Sequence, residues 1–209
     1  MWSASLAVLS ICGTFRMLPE LFFVVQEKGL EYSACIGSYF NPPTGLWALI
    51  FFWSKVFELG DTVFIVLRKQ PLIFLHWYHH IVTMVYTWYS ASMQLGSGRW
   101  FITMNYAVHS IMYSYYTLKA MRVRIPKRIS MVITMLQILQ MIIGIIINIV
   151  AYNVITGGTL CDGHLINIYV SMIMYASYWV LFAYYFHQAY LKKPKKPQVE
   201  KAQNGAATI

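Results

Sequence analysis

His76, His79 and His80 stand at i, i+3 and i+4 in a stretch that is otherwise apolar and aromatic, Phe74-Leu-His-Trp-Tyr-His-His-Ile. On a helix that spacing gathers three imidazoles on one stripe. An imidazole stripe can ligate a metal, supply a nucleophile or general base, or serve only as hydrogen-bonding glue between helices. Three of the chain's six histidines on one face, inside a segment that reads as membrane-embedded, favour a site, because ionisable groups are costly in hydrocarbon and collect where function needs them.

Further polar groups fall at comparable depth on other segments. Lys55, Glu58 and Asp61 with Thr62 interrupt one apolar run. Asn105, His109, Tyr113 and Tyr116 share another, and Thr134, Gln137 and Gln140 a third. At a rise of about 1.5 Å per residue, Glu58 and Asp61 lie about 14 and 9 Å from one end of their helix, and His76 to His80 about 6 to 12 Å. His109 lies about 18 Å from that end, and Thr134 to Gln140 about 10 to 20 Å. Groups needed only for packing have no reason to share one level, so the pattern points to one cavity. Interhelical hydrogen bonding is the alternative for the glutamines, a buried lysine–carboxylate network for 55 to 61, and an interfacial belt for the tyrosines.

The elements that position these groups are membrane helices. The 209 residues are 58% hydrophobic and 11% charged, which excludes a soluble domain with a polar shell. Apolar runs at 2–25, 44–67, 72–92, 99–121, 127–155 and 164–191 each approach or exceed the roughly 20 residues that cross a bilayer. The first is a span and not a signal peptide, since no charged n-region or cleavage site accompanies it. Its Arg16 and Glu20 are read as a structural pair, and Cys12 as packing. The fold class is therefore all-α and polytopic, with six transmembrane helices over 1–191. The Lys/Pro-led tail 192–209 holds too little apolar surface to fold.

Twelve of the sixteen Lys and Arg fall at Arg68, Lys69, Lys119, Arg122, Arg124, Lys127, Arg128 and five tail lysines, on alternate connections plus the C-terminus. The positive-inside rule puts those connections in the cytosol. The excess charge is thus a rim facing anionic lipid or an anionic substrate, and no soluble module is left to hold a nucleic acid. Cys35, in the long loop 26–43, and Cys161, in the Gly-rich loop 156–163, share the opposite, oxidising side, and a disulfide between them is expected.

Metal fits the stripe poorly. Six histidines, one of them at the far end, are too few for the boxes of a di-iron oxygenase, and adjacent His79 and His80 diverge by about 100° on a helix. Acyl transfer through an imidazole fits better, with Asp61, Glu58 or a glutamine to hold its tautomer. No thiol lies at that level. A transporter would need polar groups at both ends of the cavity, and the far halves of the helices are mostly apolar.

Four stretches in this order, Lys55-Val-Phe-Glu58-Leu-Gly-Asp61-Thr62, His76-Trp-Tyr-His79-His80, His109-Ser-Ile-Met112-Tyr113-Ser-Tyr115-Tyr116 and Thr134-Met-Leu-Gln137-Ile-Leu-Gln140, resemble the four motifs of the ELO family of fatty-acid elongases. Trp77-Tyr78 resembles the subgroup acting on saturated and monounsaturated acyl-CoA of palmitate type. The resemblance implies a helical barrel around an acyl tunnel in the endoplasmic reticulum membrane. It also implies condensation of a long-chain acyl-CoA with malonyl-CoA, both substrates, without metal or other cofactor. His79 would be the nucleophile, His109 would lie near the second substrate, and His76 and His80 would orient or stabilise charge. Lys55, Glu58, Asp61, Asn105, Tyr113, Tyr116, Gln137 and Gln140 would line or support the site. CoA phosphates would meet Arg68, Lys69, Arg122, Arg124, Lys127 and Arg128, and a homodimer and other enzymes of the elongation cycle are the implied partners. The family pattern has seven spans and this chain shows six, which reads as a fragment or a shortened isoform; an inactive or regulatory subunit is the rival reading. The ending Gly205-Ala-Ala-Thr-Ile209 lacks a dilysine signal.

Overall fold

A computed structural model of the chain describes residues 1–192, and all but Lys192 of the tail expected to be disordered lies outside them. Six long helices account for the architecture: α1 Trp2–Cys35, α2 Thr44–Leu67, α3 Phe74–Ala91, α4 Gly98–Ala120, α5 Lys127–Thr156 and α6 Leu165–Phe186. A 3₁₀ turn, Ser38–Phe40, precedes α2, and a π turn, His187–Leu191, extends α6. No strand occurs among the described residues.

α1, α5 and α6 are long and apolar enough to cross a membrane on length and composition alone. The other three carry the charged and histidine residues of the candidate site, which lowers their hydropathy without shortening them much. The chain is thus a multi-pass membrane protein. Helix bounds fall where composition predicts, except in α1. The expected loop 26–43 is helical as far as Cys35, with a break at Gly29, where φ is 84° and ψ 172°. Hydropathy marks the end of an apolar run. Gln26, Glu27, Lys28 and Glu31 are polar yet good helix formers, so the helix outlasts the run.

Packing closes the six helices into a ring. α1 lies along α4, α4 against α5, α5 against α6, α6 against α3, α3 against α2 and α2 against α1. Close approach is bought with small residues: a Cβ on Gly13 would sit 2.6 Å from the Tyr106 ring, and one on Gly144 2.5 Å from that of Tyr175. At one end gather the start of α1, the connections 68–73 and 121–126, and the described end of the chain. The opposite end holds the connections after α1, α3 and α5.

That opposite end is a knot of backbone and buried charge. Cys35 and Cys161 form a disulfide. Asp162 N–H donates to the Cys35 carbonyl at 2.7 Å, Gly96 N–H to the Asp162 carbonyl at 2.8 Å, and Gly37 N–H to the Asp162 carboxylate at 2.8 Å. A Cβ on Gly96 would run into the Cys35 carbonyl and the Ile36 nitrogen. Gly96→Ala is expected to lose about 1–3 kcal/mol, the usual penalty for overpacking, read as an earlier thermal transition in detergent.

Arg99 completes the knot and differs from expectation. It is not a loop charge but a fully buried side chain at 0% exposure. Its Nε donates to both Glu20 oxygens at 3.0 Å, one Nη to the Ser33 carbonyl at 3.0 Å and the other to Ser38 Oγ. Glu20 is therefore held by Arg99, while Arg16, its expected mate, is exposed on the outer face together with Cys12. A planar fork makes this set of bonds and an ammonium cannot. Arg99→Lys is expected to cost about 1–3 kcal/mol through the unsatisfied Ser33 carbonyl and Glu20 oxygens, measured by the same melt.

Candidate active site

At the basic end, α2 and α4 bring a closed polar circuit into the bundle. Lys55, 2% exposed, donates from Nζ to Glu58 Oε1 at 2.6 Å and to Asn105 Oδ1 at 2.7 Å. The Asn105 amide nitrogen lies 3.2 Å from His109 Nε2, and His109 Nδ1 lies 3.5 Å from Glu58 Oε1. The bonding pattern assigns the His109 proton to Nδ1, leaving Nε2 to accept from Asn105. Each member is buried, and each satisfies another, which is what makes a charged network tolerable in an apolar bundle. Ser54 Oγ adds a contact to Glu58 at 3.4 Å.

One turn nearer the end of the bundle, Asp61 is gripped from two other helices. The Trp2 indole of α1 donates to Oδ1 at 2.8 Å, and the Tyr113 hydroxyl of α4 to Oδ2 at 2.7 Å. Gly60 gives the Trp2 ring room, since a Cβ there would stand 2.6 Å from it. Trp2 was not among the residues singled out by motif; an indole at the very start of an apolar run carries no signal of its own.

The three histidines of α3 lie in the wall between α2 and α6. The His76 and His80 rings are 4.4 Å apart and those of His79 and His80 5.5 Å. His79 turns toward α6, with its ring 4.8 Å from Tyr178 and 5.9 Å from Phe182. The Tyr178 hydroxyl donates to the His79 carbonyl at 3.3 Å and bonds Thr83 Oγ1 at 2.9 Å, fixing the backbone beneath the ring. The charges of Glu58, Lys55 and His109 are within electrostatic reach of both His79 and His80. His76 Nε2 and Thr62 Oγ1 are buried without a hydrogen-bond partner among the described residues. Leaving such an atom unpaired costs about 1–3 kcal/mol, and structures keep one where function asks for it.

Not every expected residue joins this centre. Neither carboxylate orients the histidine box: Glu58 is engaged by Lys55 and His109, and Asp61 by Trp2 and Tyr113. Gln137 donates to Met112 Sδ at 3.2 Å, one turn beyond His109, and Gln140 is buried on the same helix. Tyr116 is a correction, because its ring is 47% exposed and reaches the centre only by an edge contact with Tyr113 at 6.3 Å. The i+3 step from Tyr113 to Tyr116 drifts off the stripe, since 3.6 residues make a turn. Of the six rim cations, Lys69 and Arg122 have positive φ, 53° and 62°, each just past a helix end. Arg124 lines a cavity on the outer face of the ring. Among the described residues no group of three or more His, Cys, Asp and Glu is arranged to hold a metal ion.

Fold and site together define a multi-pass helical membrane protein with a buried imidazole, carboxylate and amide centre near one end. The chain matches the ELO family, described as the GNS1/SUR4 family, over residues 1–198, and it belongs to that family. It is similar to very long chain fatty acid elongase 6 of Drosophila melanogaster, 52% identical over 91% of this chain and 61% of that protein. It is also similar to the Gallus gallus and Homo sapiens proteins of the same name, 48% and 45% identical, each over 94% of this chain and 74% of theirs. The chain thus spans about three fifths of the length of the fly relative. No solved structure matches it.

Proposed function

We propose that this chain catalyses the condensing step of fatty-acid elongation, joining a long-chain acyl-CoA of palmitate type to malonyl-CoA. The observation that carries the reading is the closed Lys55–Glu58–Asn105–His109 circuit, buried beside the histidine stripe in a family member whose relatives are named elongases.

The neutral His79 ring attacks the acyl thioester carbonyl. The C–S bond breaks, the imidazole proton passes to the CoA thiolate, and an acyl-imidazole remains. Malonyl-CoA then loses CO2, and the resulting enolate carbon attacks the acyl-imidazole carbonyl. The C–N bond breaks, 3-oxoacyl-CoA leaves, and the imidazolide takes up one proton from solvent. His76 and His80, 4.4 Å apart beside the reacting ring, offer N–H groups where oxyanion charge develops. His109, held through Asn105 and Glu58, stands near the second substrate, and Gln137 and Gln140 line the chamber from α5. No cofactor takes part in this scheme.

The ring of helices supports a barrel around an acyl tunnel, open at the basic end and tied off at the knot. CoA phosphates then meet Arg68, Lys69, Arg122, Lys127 and Arg128. Lys69 and Arg122 occupy left-handed backbone where glycine would fit at lower cost, a choice that makes sense if the cations themselves are needed. The protein sits in the endoplasmic reticulum membrane with its basic end and C-terminus in the cytosol, as a homodimer working beside other elongation-cycle enzymes.

The intact chain, purified in detergent and given palmitoyl-CoA and labelled malonyl-CoA, is expected to release labelled 3-oxoacyl-CoA. Absence of product overturns the reading in favour of a regulatory subunit. A chelator is expected to leave the rate unchanged; inhibition would bring a metal back into the mechanism.

A further inference from the structure

A cavity of about 570 Å³ opens on the outer face of the ring, where α1, α4 and the start of α5 meet. Ile11, Ile111, Leu118, Ile129 and Ile133 supply most of its wall, and Arg124 is its one charged lining residue. The size is that of a small-molecule site. Its two serines offer little to a polar guest, because Ser110 and Ser114 donate to the Ala107 and Ser110 carbonyls of their own helix, at 2.7 and 2.6 Å. The groove therefore takes hydrocarbon, and it lies on the side of the bundle that faces lipid.

Its chemistry changes at one end. Arg124 stands in the connection 121–126 with Arg122, and α5 opens on Lys127 and Arg128; all four are exposed. Not one enters an ion pair among the described residues. The sequence has no Asp or Glu between Asp61 and Asp162, and Asp61 is held by Trp2 and Tyr113. Four cations without a carboxylate sit at the mouth of an apolar groove, at the depth where a bilayer carries its phosphates.

We propose that this groove binds an anionic phospholipid, with one acyl chain along Ile111 and Ile133 and the headgroup phosphate on Arg124. Basic pockets between membrane helices recognise acidic headgroups in this way. The inference rests on the chain spanning a membrane and stands apart from the condensing activity, so either can fail alone.

The test is native mass spectrometry of the purified protein in micelles doped with dioleoylphosphatidylserine or dioleoylphosphatidylcholine. The serine lipid is expected to be retained about fivefold more, the effect of roughly one basic side chain at a membrane surface. Arg124→Gln, in an exposed connection, is expected to bring retention down to that of the choline lipid, and Ile111→Trp, which fills the groove, to lower both. Equal retention of the two lipids by the unaltered protein overturns the proposal, as does a preference that survives Arg124→Gln. Displacement of the lipid by CoA alone would assign Arg124 to nucleotide phosphates and also overturn it.

Discussion

Replacing His79 with alanine is expected to abolish the acyl-protein adduct and to lower condensation by at least about a thousandfold, the scale on which removal of a covalent nucleophile is felt. Intact-mass measurement after mixing with acyl-CoA alone reads the first effect, before malonyl-CoA is supplied. The fold should survive, because Tyr178 bonds the His79 backbone carbonyl and that bond needs no imidazole. Only the ring contacts with Tyr178 and Phe182 are lost. His109→Ala makes the informative contrast: it should keep the adduct and lose its onward transfer to malonyl-CoA. An adduct that persists in His79→Ala moves the nucleophile to another residue.

Lys55→Met is expected to destabilise the protein by about 3–5 kcal/mol, because it strips the ammonium from a buried carboxylate. Glu58 would keep only His109 at 3.5 Å and Ser54 at 3.4 Å, and the Asn105 carbonyl would lose its donor. Adding Glu58→Gln removes the orphaned charge. The double variant should therefore lose less than the sum of the singles, by a coupling of about 0.5–3 kcal/mol. Unfolding in detergent, followed for the singles and the double, gives the cycle. A loss under about 1 kcal/mol for Lys55→Met would mean that the circuit is wet, and the dry chamber invoked for the enolate would go with it.

Five of the six helices were legible to within two residues because basic clusters, Pro126 and Gly157 punctuate the apolar runs. The level shared by Lys55, Glu58, Asn105 and His109 was legible too, since a constant rise per residue converts position into depth. Depth says nothing of azimuth, and the misses share that origin. Tyr116 has the right depth and the wrong face. Cys12 and Arg16 were placed inside by level alone and lie outside. Pairings across the ring were hidden for a further reason: Glu20 takes Arg99 from a helix 79 residues away, and Asp61 takes Trp2 from 59 away. A local partner such as Arg16 is the natural guess only while the neighbour order of the helices is unknown.

That neighbour order constrains biogenesis. α3 finds its second neighbour only in α6, and the backbone at Cys35 and Gly96 waits for Asp162. During synthesis the first four helices must therefore linger side by side in the bilayer with an open seam, shielded by lipid or an insertion factor, until the sixth emerges. A ribosome stalled before residue 160 would leave that seam unsealed and Glu58 in reach of water, a marker by which quality control could tell an unfinished chain from a finished one.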